Sequence, residues 1–171
     1  MLIKIISIGN KLNPWESECI EYYKKQLPRN FKIEFINLKS QQNPKYSKDE
    51  VIMNESKLLM SKISKDDFVV AWDSMGEQTN SKKFSNFLKS YEKINQNICF
   101  VIGGSFGLSL DIKNNADKVL SASLLTFPHR LFRLILVEQI YRAHTIISNM
   151  PYHKWLILTK EYPRKKIFLI D

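Results

Sequence analysis

Short apolar runs and segments with helical spacing alternate along this chain, and that alternation limits the folds open to it more than any other feature. Residues 2–8 form an apolar run closed by Gly9. Asn13-Pro14 then marks a helix start, with Asn13 as N-cap and Pro14 in the first position. That helix is expected to reach about Gln26 and stop before Pro28. A second strand is expected over 31–38, then a polar loop over 39–47. Ser47-Lys48-Asp49-Glu50 reads as a capping box that opens a helix to about Ile63. A third strand over 67–72 leads into a turn at Ser74-Met75-Gly76, and a helix follows over 81–93 with Phe84, Phe87, Leu88 and Tyr91 at helical spacing. A strand over 97–102, a short helix over 109–116 and a strand over 118–122 come next. The longest helix is expected from 128 to about 149, its apolar face following Leu131, Leu134, Ile135, Ile140 and Ile147. With no internal repeat and no linker, this order predicts one α/β domain, a parallel sheet with helices on both faces. Ligands of such sheets bind beyond the carboxyl ends of strands, which singles out the loops after Trp72, Ile102 and Ala122.

The 171 residues suffice for one domain with a core and are too few for two. No apolar stretch approaches the roughly 20 residues of a membrane span. MLIKIISIGN has one lysine and no small-residue cleavage site, so it reads as a first strand rather than a signal peptide. Cys19 and Cys99 lack metal-ligand spacing and read as reduced core thiols of a cytosolic protein. The formal net charge of +9 points to an acidic partner, with nucleic acid the leading candidate and a merely lysine-rich surface the alternative.

FVIGGSFGLS, residues 100–109, holds three glycines in five positions around a serine. Gly103-x-Ser105-x-Gly107 has the spelling of a hydrolase nucleophile elbow, and Asp111 or Asp117 followed by His129, His144 or His153 supplies the matching order. Against that reading stand the small size and the weak helix signal after Gly107, where Asn114-Asn115 interrupt. The glycines do not fit G-x-G-x-x-G, and the chain has no P-loop and no H-E-x-x-H. The other reading is a glycine-lined cradle in which backbone approaches a ligand closely.

The last third is more specific: LSASLLTFPHRLFRLILVEQIYRAHTIISNMPYHK, from Leu120. Between Pro128 and Lys154 it carries Arg130, Arg133, Arg142 and Lys154 against the single acid Glu138. Glu138 and Arg142 at i, i+4 are also the spacing of an ordinary helix pair, worth roughly 0.2–0.5 kcal/mol. Taken in order, FVIGGSFGLS, LSASLLTFPH, LVEQIYRA and PYHK resemble the RlmH family of SPOUT-superfamily methyltransferases, the bacterial large-subunit ribosomal RNA pseudouridine N3-methyltransferases. The resemblance spans residues 1–154.

That resemblance implies a C-terminal trefoil knot in the α/β domain and S-adenosyl-L-methionine as methyl donor, leaving S-adenosyl-L-homocysteine. It places the cofactor contacts on Trp72, Gly103 and the run Ala122, Ser123, Leu124, Leu125, Thr126 and Phe127. It implies a cytoplasmic homodimer whose sites are each completed by the partner's C-terminal end, acting on the large ribosomal subunit or assembled ribosome, with no metal and no membrane. Arg142, Tyr152 and His153 match its functional positions, with Glu138 and His129 beside them. Ser105 is then no nucleophile. The chemistry asks for two jobs, taking the imide proton and holding an oxyanion. His153 suits the first and Arg142 the second or a phosphate, with Tyr152 stacking on or bonding to the base; an exchange of roles would leave the sequence the same. An RNA-binding domain without chemistry is the remaining alternative. The chain departs from the family pattern in residues 155–171, WLILTKEYPRKKIFLID, an atypical extension beyond the 1–154 methyltransferase domain. Its Arg164-Lys165-Lys166 would add RNA contacts or the segment would crowd the site or trail.

Overall fold

The computed structural model describes residues 1–153. The extension over 155–171 lies outside the described residues. Strand β1 (Leu2–Ile8) is followed by α1 (Pro14–Lys24), β2 (Lys32–Leu38), α2 (Lys48–Met60), β3 (Phe68–Gln78), α3 (Ser81–Lys93), β4 (Ile98–Ile102), α4 (Leu110–Asn115), β5 (Lys118–Ser121) and α5 (His129–Ile147). A 3-10 turn, Pro151–His153, closes the described chain. The strands form one sheet in the order β2-β1-β4-β3-β5, and every pairing is parallel.

The two faces of the sheet follow the period-2 geometry of a strand. In β4, Ile98, Phe100 and Ile102 join a core with Ile20 of α1, Phe84 and Leu88 of α3, and Leu136, Val137 and Ile140 of α5. Cys99 and Val101 point the other way, into a core with Leu59 of α2 and Ile112 of α4. All five residues of β4 are buried, which is why its sequence is a continuous apolar run. Helices thus cover both faces, as the alternation predicts. No helix among the described residues is long and apolar enough to cross a membrane.

Helix starts follow local chemistry. Ser47 Oγ accepts from Glu50 N at 3.2 Å, and Glu50 returns the bond by accepting from Ser47 N at 2.7 Å. Asn80 and Ser109 cap α3 and α4 in the same way, accepting from Lys83 N and Ile112 N.

Three sequence expectations need correction. Ser74-Met75-Gly76 is no turn between elements: β3 continues to Gln78, and its pairing with β5 slips, so that both Trp72 and Glu77 face Leu120. Asp73 Oδ1 accepts from Met75 N at 2.9 Å and bends the extra residues out of register. A Cβ on Gly76 would lie 2.6 Å from the Leu120 carbonyl carbon, so only glycine lets the two strands meet there. Second, the expected face of α5 holds only in part: Ile140 is buried and Leu134 and Ile147 pack against the core, but Leu131 is exposed, and the buried residues are Arg133, Leu136, Val137, Ile140, Tyr141, Ala143 and Thr145. The helix is apolar on several sides, so spacing alone cannot select the core face. Third, Cys19 is exposed. Cys99 is a core thiol, and burial pushes its pKa up to about 12. Arg133, one of the four cations around Glu138 in the sequence, is 2% exposed and ion-paired with Glu16, itself 0% exposed.

His144 is a half-buried packing residue, its ring 5.5 Å from that of Phe31. Burial, opposed by Glu92, lowers its pKa, and burial followed by Arg133 lowers that of His129. A depressed folded-state pKa means that the unfolded chain binds protons the folded chain refuses. Stability should therefore be fully present above the ordinary histidine value of about 6.5 and decline as pH falls below it. Urea midpoints measured on either side of that value should show this slope, and His144→Gln should flatten it; an unchanged slope in the variant would contradict the assignment.

Candidate active site

Beyond the carboxyl ends of β4 and β5, and beside the bulge within β3, lies a cavity of about 390 Å³, within the usual range for a small-molecule site. Trp72, Asp73 and Ser74 wall it from β3, Ile102 to Ser105 from the glycine loop, and Leu120 to Ser123 with Leu125, Thr126 and Phe127 from the segment after β5. His129 and Phe132 close it from the first turn of α5. The three segments singled out by the carboxyl-end rule thus meet in one place, the one after Trp72 as a bulge inside β3 rather than a loop beyond it. Of the eight expected cofactor contacts, seven line the cavity: Trp72, Gly103, Ala122, Ser123, Leu125, Thr126 and Phe127. Leu124 does not, and its side chain is 88% exposed. Asp73, Ser74, His129 and Phe132 line the cavity without having been singled out as cofactor contacts. Asp73 and Ser74 had a signal, because they directly follow a predicted strand. Phe132 lies one helical turn beyond His129, on the same face.

Backbone geometry makes the loops. Ser123 Oγ accepts from Leu125 N at 2.9 Å, and Ser121 Oγ donates to Ser123 O at 3.0 Å, so two serines shape the segment after β5. In the glycine loop, Gly107 N donates to Gly104 O at 3.0 Å, and Gly107 has φ 81°, which favours glycine. A Cβ on Gly103 would lie 2.6 Å from the Gly107 carbonyl, and one on Gly104 would lie against Glu55. Gly103 is therefore required by the loop's own backbone, whatever else approaches it, while at Gly104 a side chain would meet only the end of the Glu55 side chain and Ile8.

The hydrolase constellation is not assembled. Ser105 lines the cavity near His129, but the two acids are committed elsewhere. Asp117 accepts from Val69 N at 2.7 Å, and Asp111 accepts from Asn115 Nδ2 at 2.9 Å. The helix after the serine begins only at Leu110, whereas an elbow runs directly from its serine into a helix.

The second expected set gathers at the far end of α5. Glu138 Oε1 accepts from Arg142 Nε at 2.8 Å and from the Tyr152 hydroxyl at 3.2 Å. The Arg142 guanidinium lies 5.0 Å from the centre of the Tyr152 ring, and Tyr141 meets that ring edge-on at 4.8 Å. Burial first, then a hydrogen bond with Tyr23 and the charge of Glu138, push the Tyr152 pKa well above its usual value, so its hydroxyl stays a donor. His153 ends the 3-10 turn that carries Tyr152. Thirteen residues of helix separate His129 at the cavity from Arg142, which places their backbones about 20 Å apart. Within one chain the two sets do not meet.

Among the described residues no three His, Cys, Asp or Glu side chains are grouped to hold a metal ion.

Residues 1–153 match a family described as "Predicted SPOUT methyltransferase". The chain is 40% identical to "Ribosomal RNA large subunit methyltransferase H 1" of Clostridium perfringens, a match covering 90% of this chain and all of that protein. It is 40% identical to "Ribosomal RNA large subunit methyltransferase H" of Caldicellulosiruptor bescii and 36% identical to that of Francisella philomiragia, with the same coverage. Among solved structures, a "probable methylase family protein" from Haemophilus influenzae shares the fold, with a TM-score of 0.52 and 12% identity over 94% of this chain and 71% of that one. With a family match over its whole described length and relatives at this identity, the chain belongs to the SPOUT methyltransferase family, among the ribosomal RNA large subunit methyltransferase H proteins.

Proposed function

We propose that the protein uses S-adenosyl-L-methionine to methylate N3 of a pseudouridine in large-subunit ribosomal RNA, acting in the cytoplasm on the subunit or assembled ribosome. One observation carries the reading furthest: a single cavity at the ends of β4 and β5 and the bulge of β3 collects seven of the eight residues expected to hold the cofactor. The lining suits the group. Trp72, Phe127 and Phe132 offer flat apolar walls for a purine, and the serines, Thr126 and loop backbone offer a few polar contacts. When bound, the cofactor supplies a methyl group on a sulfonium. Everything else falls to this chain's side chains. Arg142, always charged, holds an oxyanion or phosphate of the RNA. Tyr152 stacks on or bonds to the base, and His153 takes or relays the imide proton.

Because Arg142 lies about 15 Å along α5 from Phe132 at the cavity, with Tyr152 packed on it beyond the helix end, a complete site needs a second copy of the chain. The exposed apolar side chains of Leu124, Leu125 and Leu131 offer that copy a surface. In solution the protein should scatter as about twice its 20.1 kDa. Trefoil threading of the last third belongs to the same reading, supported by family membership, as does a methyltransferase domain ending near residue 154 with 155–171 as an extension.

Calorimetry tests the cofactor directly. Binding of S-adenosyl-L-homocysteine is expected, with no labelling of Ser105 by a serine-reactive probe, and Ser105→Ala should leave methyl transfer largely intact. Labelling at Ser105 without binding of either adenosyl compound would overturn the reading.

A further inference from the structure

One carboxylate organises the far end of α5. Glu138 Oε1 takes Arg142 Nε at 2.8 Å and the Tyr152 hydroxyl at 3.2 Å, and lies 2.6 Å from Arg142 Nη2. Its other oxygen accepts from Gln139 Nε2 at 2.6 Å, and Gln139 accepts from Ser81 Oγ of α3 at 2.7 Å. An i, i+4 pair on a solvated helix does little. This pair is different: the Glu138 side chain is 18% exposed and that of Arg142 25%, and the third donor comes from beyond the helix end. The guanidinium has five N–H groups in a rigid fork. Glu138 engages the Nε–H and one Nη2–H, so the fork's plane is fixed while three N–H groups remain available. The Tyr152 ring lies against the same guanidinium, which restricts it from a second side.

We infer that Glu138 is a positioning residue for methyl transfer, its carboxylate locking the Arg142 guanidinium and the Tyr152 ring into one preformed unit that presents the remaining N–H groups of Arg142 to an oxyanion of the RNA. The inference rests on the functional reading above, which assigns Arg142 and Tyr152 to the substrate. Without the carboxylate both side chains regain rotamer freedom, and the geometry must be rebuilt at each encounter. The cofactor cavity, whose nearest wall on α5 is Phe132, about 9 Å of helix away by the helical rise, has no cause to change.

Single-turnover transfer to ribosomes lacking the modification tests this, because excess enzyme lets slow variants be read. Glu138→Gln keeps the shape of the side chain and removes its charge. The expected result is a rate roughly ten- to a hundredfold lower, with adenosylhomocysteine affinity and melting temperature near wild type. Added to Arg142→Ala, the same substitution should cost clearly less than it does alone, since most of what Glu138 holds is already gone. A wild-type rate for Glu138→Gln overturns the inference. So does an equal loss in both backgrounds, or a loss that follows melting temperature and cofactor affinity. If the wild-type protein itself transfers no methyl, the functional reading falls and this inference with it; if it transfers and Glu138→Gln does too, only the inference falls.

Discussion

Glu16→Ala is expected to destabilise the protein by about 3–5 kcal/mol, the cost of leaving a buried charge unpaired. Glu16 Oε1 receives Arg133 Nη2 at 2.9 Å, with both side chains almost wholly buried. The other oxygen accepts from Asn13 N at 2.8 Å at the start of α1 and lies 3.5 Å from Arg130 Nη1. Arg133 Nη1 donates to Asn37 Oδ1 of β2 at 2.7 Å and to Asn10 O at 3.3 Å. Removing the carboxylate therefore strands a guanidinium that water does not reach. Against a typical total of about 5–15 kcal/mol, the loss is large. A urea transition should show it as a lower midpoint with little change in slope. Glu16→Leu combined with Arg133→Met should recover much of the stability, because an apolar pair of similar volume needs no desolvation. A midpoint for Glu16→Ala near wild type would contradict this account of the clamp. The loss should also reach the active site, since the same turn of α5 carries His129 and Phe132 into the cavity wall.

The second large effect is on rate. Arg142→Ala and His153→Ala should each lower methyl transfer by about a hundredfold or more while leaving adenosylhomocysteine affinity nearly unchanged. Arg142 lies far from the cavity along α5 in its own chain, so donor affinity has little reason to respond. A histidine proton acceptor should also make the rate fall as pH drops below about 6.5. The shared-site arrangement adds a sharper test. Gly103→Val should block cofactor binding, because a side chain there collides with the Gly107 backbone. Mixed after exchange of subunits, the inactive Gly103→Val and Arg142→Ala proteins should recover about a quarter of wild-type turnover, since half the dimers are mixed and each has one intact site. No recovery, with exchange confirmed, would mean that each chain completes its own site.

How much of this was legible in advance depended on the physical signal behind each feature. Continuous apolar runs and capping residues carry their own structure, so β4, α3 and the Ser47 box could be read locally. The carboxyl-end rule located the cavity from the segments after Trp72, Ile102 and Ala122, although the first of these is a bulge within β3. Other features depend on partners distant in sequence. The bulge in β3 exists because β5 packs against Gly76, forty-odd residues before it, and nothing local distinguishes that from a turn. Arg133 reads as one more cation until Glu16, 117 residues earlier, is brought beside it. The core face of α5 was hidden because apolar side chains surround the helix. The roles of Ala122 to Phe127 had no signature in spacing and came from family resemblance. Gly103 and Gly104, read as room for a ligand, line the cavity, and at Gly103 the loop's own backbone also needs the glycine.

Methyl transfer to ribosomes purified from cells lacking this modification tests the central claim most directly. With labelled S-adenosyl-L-methionine, the account predicts label in large-subunit RNA, on N3 of a pseudouridine when the RNA is digested to nucleosides. Confirmed cofactor binding with no label in that RNA, or label on a different base, would contradict it.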